Sequence, residues 1–277
     1  MRLLKITSFA VLALLFTHTA NGQVYVNVGI GYGAPALRDL IAVDYEATQS
    51  SETYTGVYSS LGMGFQPDLT LGYKFNENVG LELGYGFLLG SKIVSEVNDA
   101  SSPNVETGEQ RIHARMHRLM LGTKVTAADG DFHPYIRVGF ALGVGGKVIS
   151  EMETTTTGPS FSGAYHSLEE YSGGMAFGFN GGIGFTYHVS DAFGIFVEAA
   201  MIAQNYAPAH SELTTLDIDG QDQLGSMTIR QKQTDYVTEY TNPSGPPNDG
   251  APDEDLRFYL PMSSIGIGAG VHFYFGQ

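Results

Sequence analysis

The sequence predicts an all-β fold: an eight-stranded, antiparallel, up-and-down transmembrane β-barrel. Three observations carry this reading. Repeated segments of about ten residues alternate large apolar side chains with small or polar ones, the period-2 signature of strands. The second face of these segments is glycine, alanine and a few charges, which suits the crowded interior of a small barrel better than water. Three tight turns alternate with four long polar segments, the asymmetry of a barrel that crosses a membrane.

Residues 1–22 read as a secretory signal peptide. Arg2 and Lys5 form its basic start, 9–16 its apolar run, and Ala20-Asn21-Gly22 a small-residue cleavage site before Gln23. A membrane-crossing helix needs about 20 apolar residues, more than this run offers. No later segment reaches that length either. Membrane crossing therefore falls to strands, and in lipid only a closed barrel satisfies their backbone groups. Residues 23–277 form the predicted barrel domain.

The chain has no cysteine, so an exported form gains nothing from disulfides and relies on a core or a closed sheet. Its formal charge is −15, or −17 once Arg2 and Lys5 are removed with the signal. That balance argues against nucleic acid as a partner, since phosphate contact requires basic patches. Tryptophan is absent, leaving 16 Phe and 16 Tyr to supply any interfacial belt.

In chain order, the first predicted strand (24–32) puts Val24, Val26, Val28, Ile30 and Tyr32 on one face, with Tyr25 and Asn27 on the other. The second is clearest in Leu69, Leu71, Tyr73 and Phe75, and Pro67 marks an irregular start because it cannot donate to a ladder. After the turn Asn76-Glu77-Asn78, the third sets Leu81, Leu83 and Tyr85 against Gly80, Glu82 and Gly84. The fourth turns Leu119, Leu121 and Val125 outward and Arg118, Met120 and Lys124 inward. The turn 128–131 leads to the fifth, with Ile136, Val138 and Phe140 opposite Tyr135 and Arg137. The sixth carries Phe177, Phe179, Ile183 and Phe185 outward, with Asn180 and His188 inward. Past Ser190-Asp191-Ala192, the seventh has Ile195 and Val197 outward, Phe196 and Glu198 inward. The eighth alternates Ile265, Ile267, Ala269, Val271, Phe273 and Phe275 with three glycines, His272 and Tyr274. It is expected to close the barrel against 24–32. The polar segments 35–58, 96–112, 150–173 and 208–256 read as loops. A soluble lipocalin-like barrel also has eight up-and-down strands, but it would need a polar exterior that neither face supplies.

Two resemblances follow from these residues. Gly270, Phe273 and Phe275 resemble the Gly-x-x-aromatic-x-aromatic core of the terminal assembly signal of outer-membrane proteins. Gly268 stands where that signal prefers a polar residue, and Gly276-Gln277 follow its closing aromatic. Over 23–277 the alternation pattern resembles the eight-stranded OmpA-like class of outer-membrane barrels, the porin-family or surface-antigen barrels, without a peptidoglycan-binding domain. The resemblance implies the cell outer membrane, short periplasmic turns and long extracellular loops. It implies contact with outer-membrane lipid and lipopolysaccharide, and insertion by the barrel-assembly machinery as a monomer. No cofactor or metal is expected.

Lys74, Glu82, Arg118, Lys124, Arg137, Glu198, His188 and His272 form the inward titratable set and are expected to build an ion-pair network that plugs the lumen. Lys74 is predicted diagonal to Glu82 across a tight hairpin, and Arg137 is predicted to meet Glu198. Buried charges must pair or cost several kcal/mol each in desolvation. A narrow porin-like channel is the alternative, and a lipid A-modifying enzyme a further one. His188-Val189-Ser190 has a His-x-Ser spacing but lies by a periplasmic turn, and His166-Ser167 and His210-Ser211 lack the spacing, so no catalytic residue is assigned and no enzyme is expected. Asp217 to Asp222 falls short of a calcium loop and reads as an acidic hairpin tip, and 242–255 as a mobile segment. Leu216/Ile218 and Met227/Ile229 suggest strands seven and eight continuing as an arm. The expected role is structural, or interaction with an extracellular ligand through the loops.

Overall fold

The computed structural model describes residues 23–127, 130–159, 161–241 and 248–275. The predicted signal peptide, part of the 128–131 turn, 242–247 and Gly276-Gln277 lie outside the described residues. No helix among the described residues is long and apolar enough to cross a membrane.

Seventeen strands run through the described residues: β1 Gln23–Pro35, β2 Asp39–Ala47, β3 Glu52–Ser59, β4 Gly64–Lys74, β5 Val79–Gly90, β6 Ile93–Asp99, β7 Val105–Thr126, β8 Phe132–Thr157 and β9 Gly163–Ser172. They continue with β10 Ala176–Ser190, β11 Phe193–Tyr206, β12 His210–Ile218, β13 Gln221–Asp222, β14 Gln233–Val237, β15 Asp253–Leu256, β16 Leu260–Pro261 and β17 Ser264–Phe275. These are more strands than the eight expected. The polar segments read as loops hold strands of their own. Sequence periodicity misses them because these polar strands carry little apolar alternation. The Thr154–Thr157 run, read as loop, is the end of β8, in keeping with the strand preference of β-branched residues.

The longest hydrogen-bonded ladders form a circuit. β1 pairs with β4, β4 with β5, β5 with β7, β7 with β8, β8 with β10, β10 with β11 and β11 with β17, all antiparallel. β17 returns to β1 with Val24 opposite Phe275 and Pro35 opposite Ser264. Side chains alternate across this wall. On β5, Leu81, Leu83 and Tyr85 are exposed, while Gly80, Glu82 and Gly84 are buried. The β4–β5 ladder skips Gln66 and Pro67, where the missing N–H of proline would leave a gap.

A second set of pairings leaves the circuit at the end opposite the short turns. β3 pairs with β2, β2 with β6, β6 with the first half of β7, and β8's second half with β9; β9 pairs with β12, β12 with β14, and β14 with β15. β7 and β8, at 22 and 26 residues, belong to both sets. Between them the register slips from Arg115 opposite Lys147 to His117 opposite Val144, a bulge with Gly145 at φ 60°. The arm at 208–256 differs in detail from expectation. Met227 and Ile229 are not on a strand, because a capping box from Thr228 and Gln231 starts a one-turn helix, Ile229–Lys232. Asp219 and Gly220, both at positive φ, make the two-residue turn between β12 and β13.

Candidate functional site: the lumen and the outward arm

The interior is layered. At the short-turn end lies an aromatic and imidazole layer. His133 stacks on His188 at 4.1 Å, Tyr25 stacks on His272 at 4.6 Å, and His188 Nε2 lies 2.5 Å from the Tyr274 hydroxyl. Lys74 Nζ sits 5.0 Å from the Tyr274 ring centre, a cation–π contact. The sequence-based pairing of Lys74 with Glu82 is therefore corrected: among the described residues Lys74 makes no carboxylate ion pair. Its ladder partners across the circuit are Gln23 and Gly80, so the ammonium reaches the aromatic layer first. His188 and His272 likewise contact rings rather than carboxylates.

The next layer carries the charges. Arg137 Nη2 donates to Glu198 Oε1 at 2.6 Å. Glu82 Oε1 accepts from the Tyr25 hydroxyl at 2.8 Å and lies 3.9 Å from Lys124 Nζ. Lys124 Nζ also lies 3.9 Å from the Tyr135 ring centre. Glycines make this density possible. A Cβ at Gly182 would meet the Glu198 carboxyl carbon at 2.8 Å, and a Cβ at Gly72 would clash with the Tyr25 ring.

Arg118 stands one layer further and, contrary to the expectation of an ion pair, engages neutral acceptors among the described residues. It donates to Gln204 Oε1, Gln66 Oε1 and the Met262 carbonyl at 3.2, 3.1 and 3.0 Å. The reason is its position on β7: it faces the amide-bearing upper parts of β4 and β11, beyond the carboxylates. Above it the lumen is apolar. Leu61, Leu88, Met116, Tyr206 and Met262 are all 0–1 % exposed and form one cluster. The segments around Leu61 and Met262 fold into this cap and bond to each other through the Leu61 N–H and the Pro261 carbonyl at 2.9 Å. This cap is absent from the sequence reading. Leu61 and Met262 lie between strands, outside any periodic run, and they meet Leu88 of β5, Met116 of β7 and Tyr206 of β11.

The outward arm carries a row of charges across neighbouring strands. Glu96 is opposite Glu109, Glu109 opposite Glu153, Glu153 opposite His166, His166 opposite Asp217, and Asp217 opposite Asp222. Like charges directly opposite destabilise a ladder. Arg111 offsets part of this, reaching Glu109 at 2.9 Å and Glu153 at 2.8 Å. Glu151, Glu153 and His166 could present one metal-ligating atom each within 4.8 Å, but Lys92 and Arg111 already neutralise the two carboxylates. Burial pushes the Glu151 carboxyl up, and the hydrogen bond from Lys92, with His166 and Arg111, outweighs it and holds the group below its ordinary range. His188-Val189-Ser190 ends β10 at the short-turn end, and His166 and His210 lie on arm strands β9 and β12. Gly270, Phe273 and Phe275 all lie on β17, with Phe273 opposite Val26 and Phe275 opposite Val24.

A closed circuit of strands with a lipid-suited exterior and a charged interior defines the class of integral outer-membrane β-barrels. The family model for the outer membrane protein beta-barrel domain matches residues 7–219, and the chain belongs to that family. Its place is the outer membrane. No curated protein sequence matches the chain. Among solved structures it is similar to the outer membrane protease OmpT from Escherichia coli, at 9% identity and a TM-score of 0.33, covering 91% of this chain and 97% of that one. The expectation that the chain is not an enzyme is corrected by this finding: a protease stands among the barrels it is similar to, so the class gives no ground for excluding catalysis. At that identity and TM-score the likeness carries no argument for a proteolytic site here.

Proposed function

We propose that the chain is an OmpA-like barrel of eight membrane-crossing strands, plugged in its lumen, that presents the outward arm for interaction at the cell surface. The observation that carries this is the length of β7 and β8. A tilted strand crosses the bilayer in about 9–11 residues, and these run to 22 and 26, so half of each lies outside the crossing. Nothing in membrane anchoring requires that extra sheet. The short turns face the periplasm on this reading, and the exposed Phe, Ile, Leu and Val of the wall meet lipid, with lipopolysaccharide at the outer rim. Gly270, Phe273 and Phe275 act as the assembly signal of a monomeric barrel.

The plug consists of the Arg137–Glu198 and Lys124–Glu82 pairs beneath the apolar cap. The buried apolar cluster of Leu61 and Met262 above these pairs speaks against the channel alternative. The test uses two proteins, the full chain and a form with 208–256 replaced by a short turn. Cells displaying the full chain are expected to adhere to host-cell or matrix surfaces, and cells displaying the trimmed form to lose that adherence. Equal adherence would sink the surface role. In planar bilayers the pure refolded full chain is expected to stay silent, and uniform, ion-selective openings would sink the plug.

A further inference from the structure

The arm has an open edge at β3. This strand, Glu52–Ser59, pairs with β2 on one side, and on the other its backbone meets no strand among the described residues. The phase of the ladder tells which groups are left over. The hairpin closes with the Thr48 N–H on the Ser51 carbonyl, and hydrogen-bonded pairs alternate with open ones from there. Glu52, Tyr54 and Gly56 therefore turn their N–H and C=O away from β2. Ala47, opposite Glu52, obeys the same phase: its carbonyl points out of the hairpin and accepts from the Ala100 N–H at 2.8 Å. An open edge is a template for another strand, and proteins blunt such edges with lysine, proline, a bulge or shortness. β3 is 8 residues long with neither lysine nor proline, and the bulge of this hairpin falls on β2, between Leu40 and Ala42.

The side chains along that edge specify a chemistry. Glu52, Tyr54, Gly56 and Tyr58 share one face of the strand, and the two tyrosines are 65% and 63% exposed. The Tyr54 hydroxyl donates to Glu52 Oε2 at 3.0 Å, which sets a carboxylate beside an open phenol ring. Such a pair suits a cationic side chain, whose stem lies on the ring while its head meets the carboxylate. The charge of the hairpin points the same way. β2 and β3 hold Asp39, Asp44, Glu46 and Glu52 and no lysine or arginine. A second copy of this chain would bring the same carboxylates to the edge, and like charges across a ladder destabilise it. A basic strand brings the opposite charge.

We propose that the β3 edge binds an extended, basic segment of another protein by strand addition. Main-chain bonds to Glu52, Tyr54 and Gly56 hold the segment, and Arg or Lys at its alternate positions lie across Tyr54 and Tyr58. The inference rests on the arm standing outside the membrane, and it names the class of partner the arm takes.

The experiment measures fluorescence anisotropy of short labelled peptides added to the refolded full chain in a neutral detergent. The probes are a peptide of alternating Arg and Thr, its Glu and Thr counterpart, and the Arg and Thr peptide N-methylated throughout, which keeps its charge and loses every N–H donor. The first is expected to bind and the acidic one to stay free. N-methylation is expected to weaken binding about tenfold or more, since several main-chain bonds go with it. Binding by the acidic peptide as tight as by the basic one overturns the assignment of charge. An N-methylated peptide that binds as well as its parent overturns strand addition and leaves plain charge attraction. Tyr54→Ala removes the ring and keeps the N–H, whereas Tyr54→Pro removes both, and proline is tolerated where an edge N–H faces solvent. Affinity is expected to fall in the order wild type, Tyr54→Ala, Tyr54→Pro, and a Tyr54→Pro chain that binds like wild type overturns the site. Should that variant not fold, the three peptides decide on the wild type alone. A dimer of the peptide-free chain in sedimentation, dissolved by Tyr54→Pro, would give the edge to a second copy and overturn the basic partner. Absence of any peptide binding overturns the proposal even where cells displaying the chain adhere, so its failure is distinct from failure of the surface role.

Discussion

Arg137→Met is expected to lower the unfolding free energy of the barrel by about 3–5 kcal/mol, because it leaves the Glu198 carboxylate buried without its partner. Glu198 is 6% exposed and takes the guanidinium at 2.6 Å. Adding Glu198→Gln to the same protein is expected to recover most of the loss, since a neutral amide tolerates the apolar neighbour far better than a charge does. The two single variants and the double form a cycle, and its interaction energy isolates the pair. Urea titration followed by heat-modified gel mobility suits this chain, which has no tryptophan to report fluorescence. A double variant as unstable as the sum of the singles would show that the pair contributes nothing and that the losses come from packing alone.

Gly72→Val is expected to be nearly as damaging, by a different route. Its new side chain would occupy the volume of the Tyr25 ring, so the ring must move. Overpacking of this kind costs roughly 1–3 kcal/mol. The displaced phenol also leaves Glu82, whose 2.8 Å hydrogen bond from Tyr25 is charge-assisted and worth about 1.5–3 kcal/mol. Tyr25→Phe separates the two contributions: it removes the hydrogen bond and keeps the ring. The ordering expected from unfolding midpoints is wild type, then Tyr25→Phe, then Gly72→Val. A Gly72→Val protein as stable as wild type would mean that the ring has another place to go.

How much of this was legible in advance depends on which solvent a residue faces. The wall was readable because lipid and lumen are so unlike: Leu81, Glu82 and Leu83 alternate between them, and the alternation survives in the sequence. The contact of Arg137 with Glu198 follows from two inward charges at similar depth. The arm was not readable, since Glu109, Glu153 and Asp217 sit on polar strands with little apolar alternation, and their pairing is imposed by the ladders they extend. Arg111 could have been found only by knowing that register. The apolar cap was hidden for another reason. Leu61 and Met262 are about 200 residues apart in the chain, and neither belongs to a periodic run. Asp68 shares the inward phase of Thr70, but Pro67 beside it interrupts the alternation there.

The bulge between Arg115 and His117 has a mechanical meaning. β7 and β8 pass from wall to arm as unbroken backbone, so no flexible tether separates the part in the membrane from the part outside it. The arm then behaves as a bracket welded to a post, not as a flag on a string. Its direction is set at the bulge by Gly145, and a load applied at its tip is carried along two continuous strands into the barrel wall.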